Sequence, residues 1–396
     1  MNDQAGLFWV AVAAGLLFSA LAFHPFLTYP LSLRLLTKRR GLVRPAIDAA
    51  ASPSVAICMC AYNEQKVIVA KMISLLEMAE AYGNATIHVY ADCPSDRTAE
   101  LLRPFADRVD LVISEVRTGK TYGMNLLVSR SQSEILLFTD ANVEHGPDVL
   151  PLLVAPLNDP EIGCASARLI YRNKDESATA AAGAAYWEWE ESIKRIESES
   201  IGLVGVDGAM FAIRRSLHRP PPPHLIDDLY LSLSVMIQNR KVVSVPEALV
   251  YERSAVTSDE ERIRKRRIAC QAVNVHRALW SQLRRMRLPA LYGYLSHRLL
   301  KWMTPLLLLA AAVCFALAAI IGVGFALVAG VFVAALAVLA LGILLKIPPA
   351  LTLVSVFESL FGVAAGIFDS VIAGKTYTVW DPANSVRATD RAGAPA

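Results

Sequence analysis

None of the six cysteines, Cys58, Cys60, Cys93, Cys164, Cys270 and Cys314, belongs to a CxxC pair. That excludes zinc ribbons and thioredoxin-like motifs and reads as reduced thiols in a cytosolic compartment. No GxGxxG follows the first strand-like run, which argues against a dinucleotide fold. Gly119-Lys120-Thr121 ends like a phosphate-binding P-loop, but Ser114 stands where the leading glycine is required, so that motif is excluded too. Charge is scarce, at 19% of residues against 54% hydrophobic, and mean hydropathy is +0.40. Such a chain is too apolar for an ordinary soluble enzyme and too charged for a pure membrane bundle. A soluble domain on a membrane anchor satisfies both numbers. The net charge of +3 gives no reason to expect a nucleic-acid partner.

Where charge is missing altogether, the runs are long. Gln4 to Leu33 holds 30 residues without a formal charge, and about 20 suffice for a helix to cross a bilayer. A cleaved signal peptide would carry a positive leading region; here the positives, Arg34, Lys38, Arg39, Arg40 and Arg44, come after the run. Residues 1–36 therefore read as an anchor, 37–54 as an Ala/Ser/Pro-rich linker, and the domain beyond the linker as cytoplasmic by the positive-inside tendency. Trp302 to Leu345 is a second charge-free run, 44 residues long, enough for two spans with a turn near Gly322-Val323-Gly324. Ile347 to Gly374 carries Glu358 and Asp369, and reads either as a third C-terminal span or as a re-entrant or interfacial helix. Between these parts, residues 258–301 interleave arginines with Ile263, Ile268, Val273, Leu279 and Trp280 at helical spacing, as interfacial amphipathic helices do. The charge-free run just after them favours a membrane surface over nucleic acid. The tail from Lys375, with Trp380, Arg387 and Arg391, reads as cytoplasmic.

Residues 55–257 alternate strand and helix. Val55–Cys60, Thr86–Tyr90, Val109–Ile113 and Ile135–Phe138 read as strands, with helices over Val67–Ala81 and residues 120–131 between them. That alternation predicts βαβ units and a parallel sheet. Each strand ends in polar residues: Ala61-Tyr62-Asn63-Glu64, Asp92, and Asp140-Ala141-Asn142. Ligands of open α/β sheets bind beyond such carboxyl ends, and oxygen side chains at i and i+2 can share one hard cation. Standing alone, Asp-Ala-Asn is equally an Asx-type turn, Asp227-Asp228 equally a helix N-terminal acid pair, and Lys120 equally a solvated turn lysine.

Taken together and in order, these segments resemble the membrane-bound bacterial glycosyltransferases of family 2, which are inverting enzymes of the GT-A fold. The resemblance runs from about Val55 to Arg267. It implies an α/β, Rossmann-like, mostly parallel sheet flanked by an N-terminal transmembrane helix and a C-terminal transmembrane and interfacial region. It further implies a nucleotide-sugar site made by Ala61, Tyr62 and Glu64 of the opening turn, Asp92 on the uracil base, and Arg117, Lys120 and Asn125 of the Arg-x-Gly-Lys…Asn segment. Asp140-Ala141-Asn142 falls on the DxD motif, giving Asp140 and Asn142 as ligands for Mg or Mn. Gly208 and Arg264 lie on the acceptor side, Arg267 on the diphosphate, and Asp228, with Asp227, is the implied catalytic base.

Two departures shape the expectation. Asn142 replaces the second acid and is a poorer ligand for a hard cation. Where processive members carry QxxRW, this chain has Arg264-Lys265-Arg266-Arg267-Ile268, retaining the Arg alone. The expected function is transfer from a UDP-sugar to a lipid or saccharide acceptor presented at the inner membrane, without processivity. The rivals are a polysaccharide synthase of short processivity and, in another class, a non-catalytic nucleotide-sugar-binding or scaffold subunit of an export complex.

Overall fold

The computed structural model describes residues 2–36 and 52–379. The basic residues of the linker, Lys38, Arg39, Arg40 and Arg44, and Trp380, Arg387 and Arg391 of the tail lie outside them. Two helices lead, α1 (Asn2–Phe23) and α2 (Thr28–Leu36). The parallel half of the sheet comes next: β1 (Val55–Ala61), β2 (Ala85–Ala91), β3 (Asp110–Ile113) and β4 (Ile135–Asp140), connected by α3 (Ile68–Tyr82), α4 (Thr98–Leu102) and α5 (Lys120–Arg130). Beyond it lie β5 (Glu144–His145), α6 (Val149–Val154), β6 (Ile162–Tyr171), α7 (Ala178–Ser198), β7 (Met210–Arg214), α8 (Asp227–Ile237) and β8 (Lys241–Glu252). The eight strands form one curled sheet in the order β3-β2-β1-β4-β7-β6-β8-β5. β7 is antiparallel to both neighbours, and β5 pairs antiparallel with β8.

Burial explains these elements. β1 is buried on both faces, hence its unbroken apolar run rather than an alternation. In α3 the buried Ile68, Met72, Leu75, Leu76 and Ala79 recur at helical spacing, and the helix stops at Gly83 in the left-handed conformation. β4 runs two residues beyond the expected Phe138. Thr139 pairs with Met210 of β7 and donates its hydroxyl to Ala209 O at 3.1 Å, a partner distant in sequence. In register, Cys60 of β1 stands beside Asp140 and Ala61 beside Ala91. The turns after β1, β2 and β4 thus open from one sheet edge.

After the sheet come α9 (Ser258–Leu283), α10 (Leu288–Gly293), a π-helical turn (Tyr294–Leu299), α11 (Leu300–Val323), α12 (Phe325–Leu344) and α13 (Pro348–Val371). Among the described residues, four helical stretches are long and apolar enough to cross a membrane: Gln4–Phe23, Leu288–Val323, Phe325–Leu344 and Pro348–Val371. α1 and α11 pack antiparallel, Thr304 reaching Ala22 O while Gly15 meets Phe315 and Gly322 meets Phe8. A buried polar junction joins these helices to the sheet domain. Tyr29 of α2 donates to Glu197 of α7 at 2.6 Å, and His297 of the π-turn lies 2.7 Å from Glu197 and 3.3 Å from Glu190. Lys301 reaches Glu190 at 2.5 Å, so the carboxylates of α7 are paired where solvent is absent.

The centre of the sheet carries the packing load. Phe138 is 1% exposed and stacks on Phe211, with ring centroids 5.1 Å apart. Phe138→Ala is expected to lower stability by about 3–5 kcal/mol, read as a fall in the thermal midpoint of the detergent-purified protein; an unchanged midpoint contradicts the packing described.

Candidate active site

The turns at that sheet edge, the start of α8 and the face of α9 enclose a cavity of about 790 Å³. Its floor is charged. Lys120, the first residue of α5, places its ammonium 2.7 Å from Asp140 Oδ1 and 3.7 Å from Asp227 Oδ2. Burial by itself would lower the Lys120 pKa, but Asp140, Asp227 and Asp228 together outweigh it and hold the ammonium charged. Asp227 and Asp228 open α8, where the helix dipole favours negative charge and the Leu229 amide donates to Asp228 Oδ1 at 2.5 Å. The helix-start and site readings of this acid pair are thus one arrangement. Burial, then the neighbouring Asp227, pushes the Asp228 carboxyl up to about 7 against the pull of Lys120. A carboxyl poised there exchanges a proton near neutrality, as a general base must. Gly208 borders both groups; a Cβ there would lie 3.0 Å from Asp228 Oδ2 and 3.3 Å from Lys120 Nζ.

One wall comes from the first two turns. Ala61, Tyr62 and Glu64 line it, and the Arg117 guanidinium stacks over the Tyr62 ring at 3.4 Å. Asp92, also lining, is buried and accepts from the Thr118 and Gly119 amides at 2.7 and 3.0 Å and from the Thr118 hydroxyl at 3.2 Å. Its oxygens hold the loop that delivers Lys120. Asn125 departs from the expectation: it is absent from the lining and donates to Pro221 O at 2.8 Å, fastening the proline loop from the far side of α5.

Asp140, Ala141 and Asn142 all face the cavity. Asn142 donates to Glu252 at the end of β8 at 3.1 Å, so a carboxylate stands beside the position where the DxD motif has lost one. Burial, opposed by Arg264 and reinforced by Asp140, raises the Glu252 pKa. These hard oxygen donors fit a divalent cation. Among the described residues no three His, Cys, Asp or Glu side chains form a metal cage, so a cation here would take its other ligands from a diphosphate.

α9 supplies the opposite wall through Arg264 and Arg267. Arg264 reaches the Tyr171 hydroxyl at 3.3 Å and Glu261 at 3.6 Å, and its pKa is raised, chiefly by Tyr171. Burial, then the charge of Arg264, pulls Arg267 down to about 10. The cavity also takes in residues with no local signature. Asp207 is ion-paired at 2.9 Å with Lys194, a lysine 1% exposed that also binds Glu191. Trp187 lines the cavity while its indole donates to Leu169 O at 3.0 Å. Tyr377 and Val379 arrive from beyond α13, and Thr378 O sits so close that a Cβ on Gly119 would be 2.1 Å away. A hydropathy switch after α13 marks the end of that helix but does not foretell its return to the cavity.

Residues 56–219 match the family model described as Glycosyl transferase family 2. An N-acetylglucosaminyltransferase of Neorhizobium galegae is 25% identical over 222 residues, covering 51% of this chain and 51% of that protein. One of Rhizobium leguminosarum bv. viciae is 23% identical over 214 residues, covering 50% of each. The chain thus spans about half the length of these curated relatives. The mannosyltransferase of Pyrobaculum calidifontis, solved in complex with GDP-Man and Mn2+, shares the fold with a TM-score of 0.69 at 20% identity, over 91% of this chain and 99% of that one.

Removing the ammonium from the floor exposes Asp228 to two uncompensated carboxylates. If ionised Asp228 is the base, the transfer rate of the native protein rises with pH through a limb near 7. Lys120→Met is expected to move that limb upward by about one pH unit or more, measured as kcat/KM against pH, while Lys120→Arg leaves it close to the native position. A limb unmoved in Lys120→Met contradicts the electrostatics described.

Proposed function

We propose that the chain, whose residues 56–219 match the family 2 glycosyltransferase model, transfers a sugar from a UDP-sugar, with inversion and without processivity, to a lipid or lipid-linked saccharide presented at the membrane. The observation that carries this reading is the convergence of Asp140, Asp227, Asp228 and Lys120 on one cavity, where burial and Asp227 raise the Asp228 pKa. The same set favours catalysis over a scaffold role, since a subunit that only bound a nucleotide sugar would have no use for a tuned carboxylate. The names of the curated relatives favour N-acetylglucosamine as the sugar. The long apolar helices α1, α11 and α12 favour a multi-pass protein of the inner membrane with its sheet domain on the cytoplasmic side.

In this reading the donor base lies by Tyr62, Glu64, Arg117 and Asp92, and its diphosphate between Lys120 and Arg267. The Arg267 fork suits bidentate contact with phosphate oxygens, and Lys120 acts as a point charge. Asp140 and Asn142 would hold a divalent cation, Mg or Mn, which as a Lewis acid neutralises a leaving diphosphate. Asp228 takes the proton of the acceptor hydroxyl as its oxygen attacks the anomeric carbon from the face opposite the departing nucleotide. Asp227 holds Lys120 in place, and the bare Gly208 leaves room for the incoming hydroxyl next to Asp228. Arg264, on the wall shared with Tyr171, lies on the acceptor side.

Membranes carrying the protein are to be incubated with labelled UDP-N-acetylglucosamine, UDP-glucose, UDP-galactose and GDP-mannose, and the label partitioned between organic and aqueous phases. UDP-N-acetylglucosamine is expected to label the organic phase. Asp228→Asn is expected to reduce transfer by about 10²–10⁴-fold with UDP affinity retained, and EDTA to abolish transfer until Mg2+ or Mn2+ is restored. Undiminished transfer by Asp228→Asn removes it as the base; label from GDP-mannose alone overturns the choice of donor.

A further inference from the structure

α13 has the length and apolarity of a membrane span, yet from Ser355 to Ser370 it is fastened to α7 and α9. Toward its start, Ser355 Oγ lies 3.0 Å from Thr179 Oγ1 and 3.4 Å from Ser258 Oγ. Toward its end, Asp369 accepts from Arg266 at 2.6 and 2.9 Å, and Ser370 donates to Asn274 at 2.7 Å. Between these points α13 lies directly against α9. A Cβ on Gly362 would stand 2.6 Å from Arg262 O, and one on Gly366 would stand 2.2 Å from Arg266 O. The contacts advance together along both helices, 355 with 258, 362 with 262, 366 with 266 and 370 with 274, so the two run parallel and side by side. After α13 the chain stays on the same side: Lys375 O accepts from Asn274 at 3.0 Å and Tyr377 O from Gln271 at 2.9 Å.

α9 cannot occupy hydrocarbon. It carries nine charged residues between Asp259 and Arg277, and each charge at the bilayer centre costs about 2.5–3.5 kcal/mol on insertion scales. A helix bound along α9 shares its depth. The face of α13 turned away from α9 is an exposed apolar stripe at helical spacing: Leu353, Phe357, Phe361, Phe368 and Ile372. Lys346 and Lys375 stand at its two ends, where side chains of an in-plane helix meet head groups. The stripe begins where Gly342 of α12 touches Ala350, next to a helix exposed along nearly its whole apolar length, so its occupant is continuous with whatever surrounds α12.

We infer that α13 does not cross the bilayer but lies in its plane, on the leaflet that faces the catalytic domain, with the Phe357–Phe361–Phe368 stripe immersed at the boundary of head groups and acyl chains. Only α1, α11 and α12 then cross. This rests on the membrane-bound reading proposed above but not on which side the catalytic domain occupies, because α13 is tied to α7 and to α9, whose Val275, Leu279 and Leu283 pack in the core of that domain.

Single cysteines at Asp107 in the sheet domain, Lys346, Lys375, and Gly324 in the α11–α12 turn are to be probed in sealed vesicles with a membrane-impermeant maleimide, with the native chain as the blank. Asp107→Cys, Lys346→Cys and Lys375→Cys are expected to label from one side and Gly324→Cys from the other. Lys375→Cys labelling with Gly324→Cys makes α13 a span and overturns the inference. A nitroxide at Phe361→Cys gives an independent reading by its accessibility to oxygen and to a nickel chelate. It is expected about 5–10 Å below the head groups, whereas a label at Leu336→Cys in α12 reads as deep in the bilayer. Equal depths at 361 and 336, or disulfide-linked dimers through Phe361→Cys, also overturn it, the latter by assigning the stripe to a second copy. Should Asp107→Cys and Gly324→Cys label from the same side, the membrane-bound reading itself has failed, a result distinct from the others.

Discussion

A single ammonium makes the rest of the site possible. Asp140, Asp227 and Asp228 come from two distant parts of the chain, and unit like charges about 4 Å apart repel by about 4 kcal/mol at an effective dielectric near 20. Lys120 offsets that repulsion, touching Asp140 at 2.7 Å and Asp227 at 3.7 Å. Its own placement is over-determined. Asp92 holds the amides of Thr118 and Gly119, and Cys60 donates to Lys120 O at 3.4 Å. Asp92 therefore acts on the floor of the cavity through the loop, whatever it also does for a nucleotide base. The compensation is incomplete at Asp228, where burial and then the neighbouring Asp227 keep the pKa raised against the pull of Lys120. Its proton-accepting capacity near neutrality is the product of an electrostatic balance, and the tuning belongs to the group of four rather than to any one side chain.

How far this was legible in the sequence depends on how local each signal is. β1, β2 and β4 and the helices between them were readable because buried parallel strands are continuous apolar runs and their polar endings mark the ligand edge. Asp140 was readable for the same reason, at a strand end, whereas Lys120, Asp227 and Asp228 were expected in the site only through the family resemblance. The place of Asn125 was not readable: a helix residue one turn and a half beyond Lys120 points elsewhere, and only the position of Pro221 decides which way. Nor was Glu252, which reaches Asn142 because β8 pairs with β6 and β5 through contacts far apart in sequence. Nor was the place of Trp187, whose indole packs on Tyr171 while the residue lines the cavity, both set by the fold of β6 and α7.

The junction between the sheet domain and the leading and trailing helices obeys an electrostatic rule similar to that of the floor. Glu190 and Glu197 lie on one face of α7, both nearly inaccessible, and each meets a cationic or hydrogen-bonding group from outside the sheet domain. Apolar packing alone would let α2 and α11 slide over α7, whereas buried carboxylates with fixed partners admit one register. The register matters because Arg298, in the same π-turn as His297, binds the carbonyls of Val204 and Gly205 just upstream of Asp207 and Gly208. The segment bordering Asp228 is thus tied directly to the helix that leads into α11.

α9 completes that connection from the other side. Its Val275, Leu279 and Leu283 are part of the core that packs beneath the sheet, Arg264 and Arg267 form a wall of the cavity, and the backbone at Arg262 and Arg266 receives α13. Three demands on one helix explain its composition better than amphipathicity does, since a two-faced helix would have no reason to place glycine-sized neighbours on its third face. They also explain why the chain after α13 ends up over Gly119. A segment leaving a helix that lies flat against α9 emerges next to Cys270 and Asn274, and within a few residues of them it reaches the loop that carries Lys120. Among the described residues, α13 and the loop that carries Lys120 therefore meet through the segment just after α13, where Thr378 lies against Gly119.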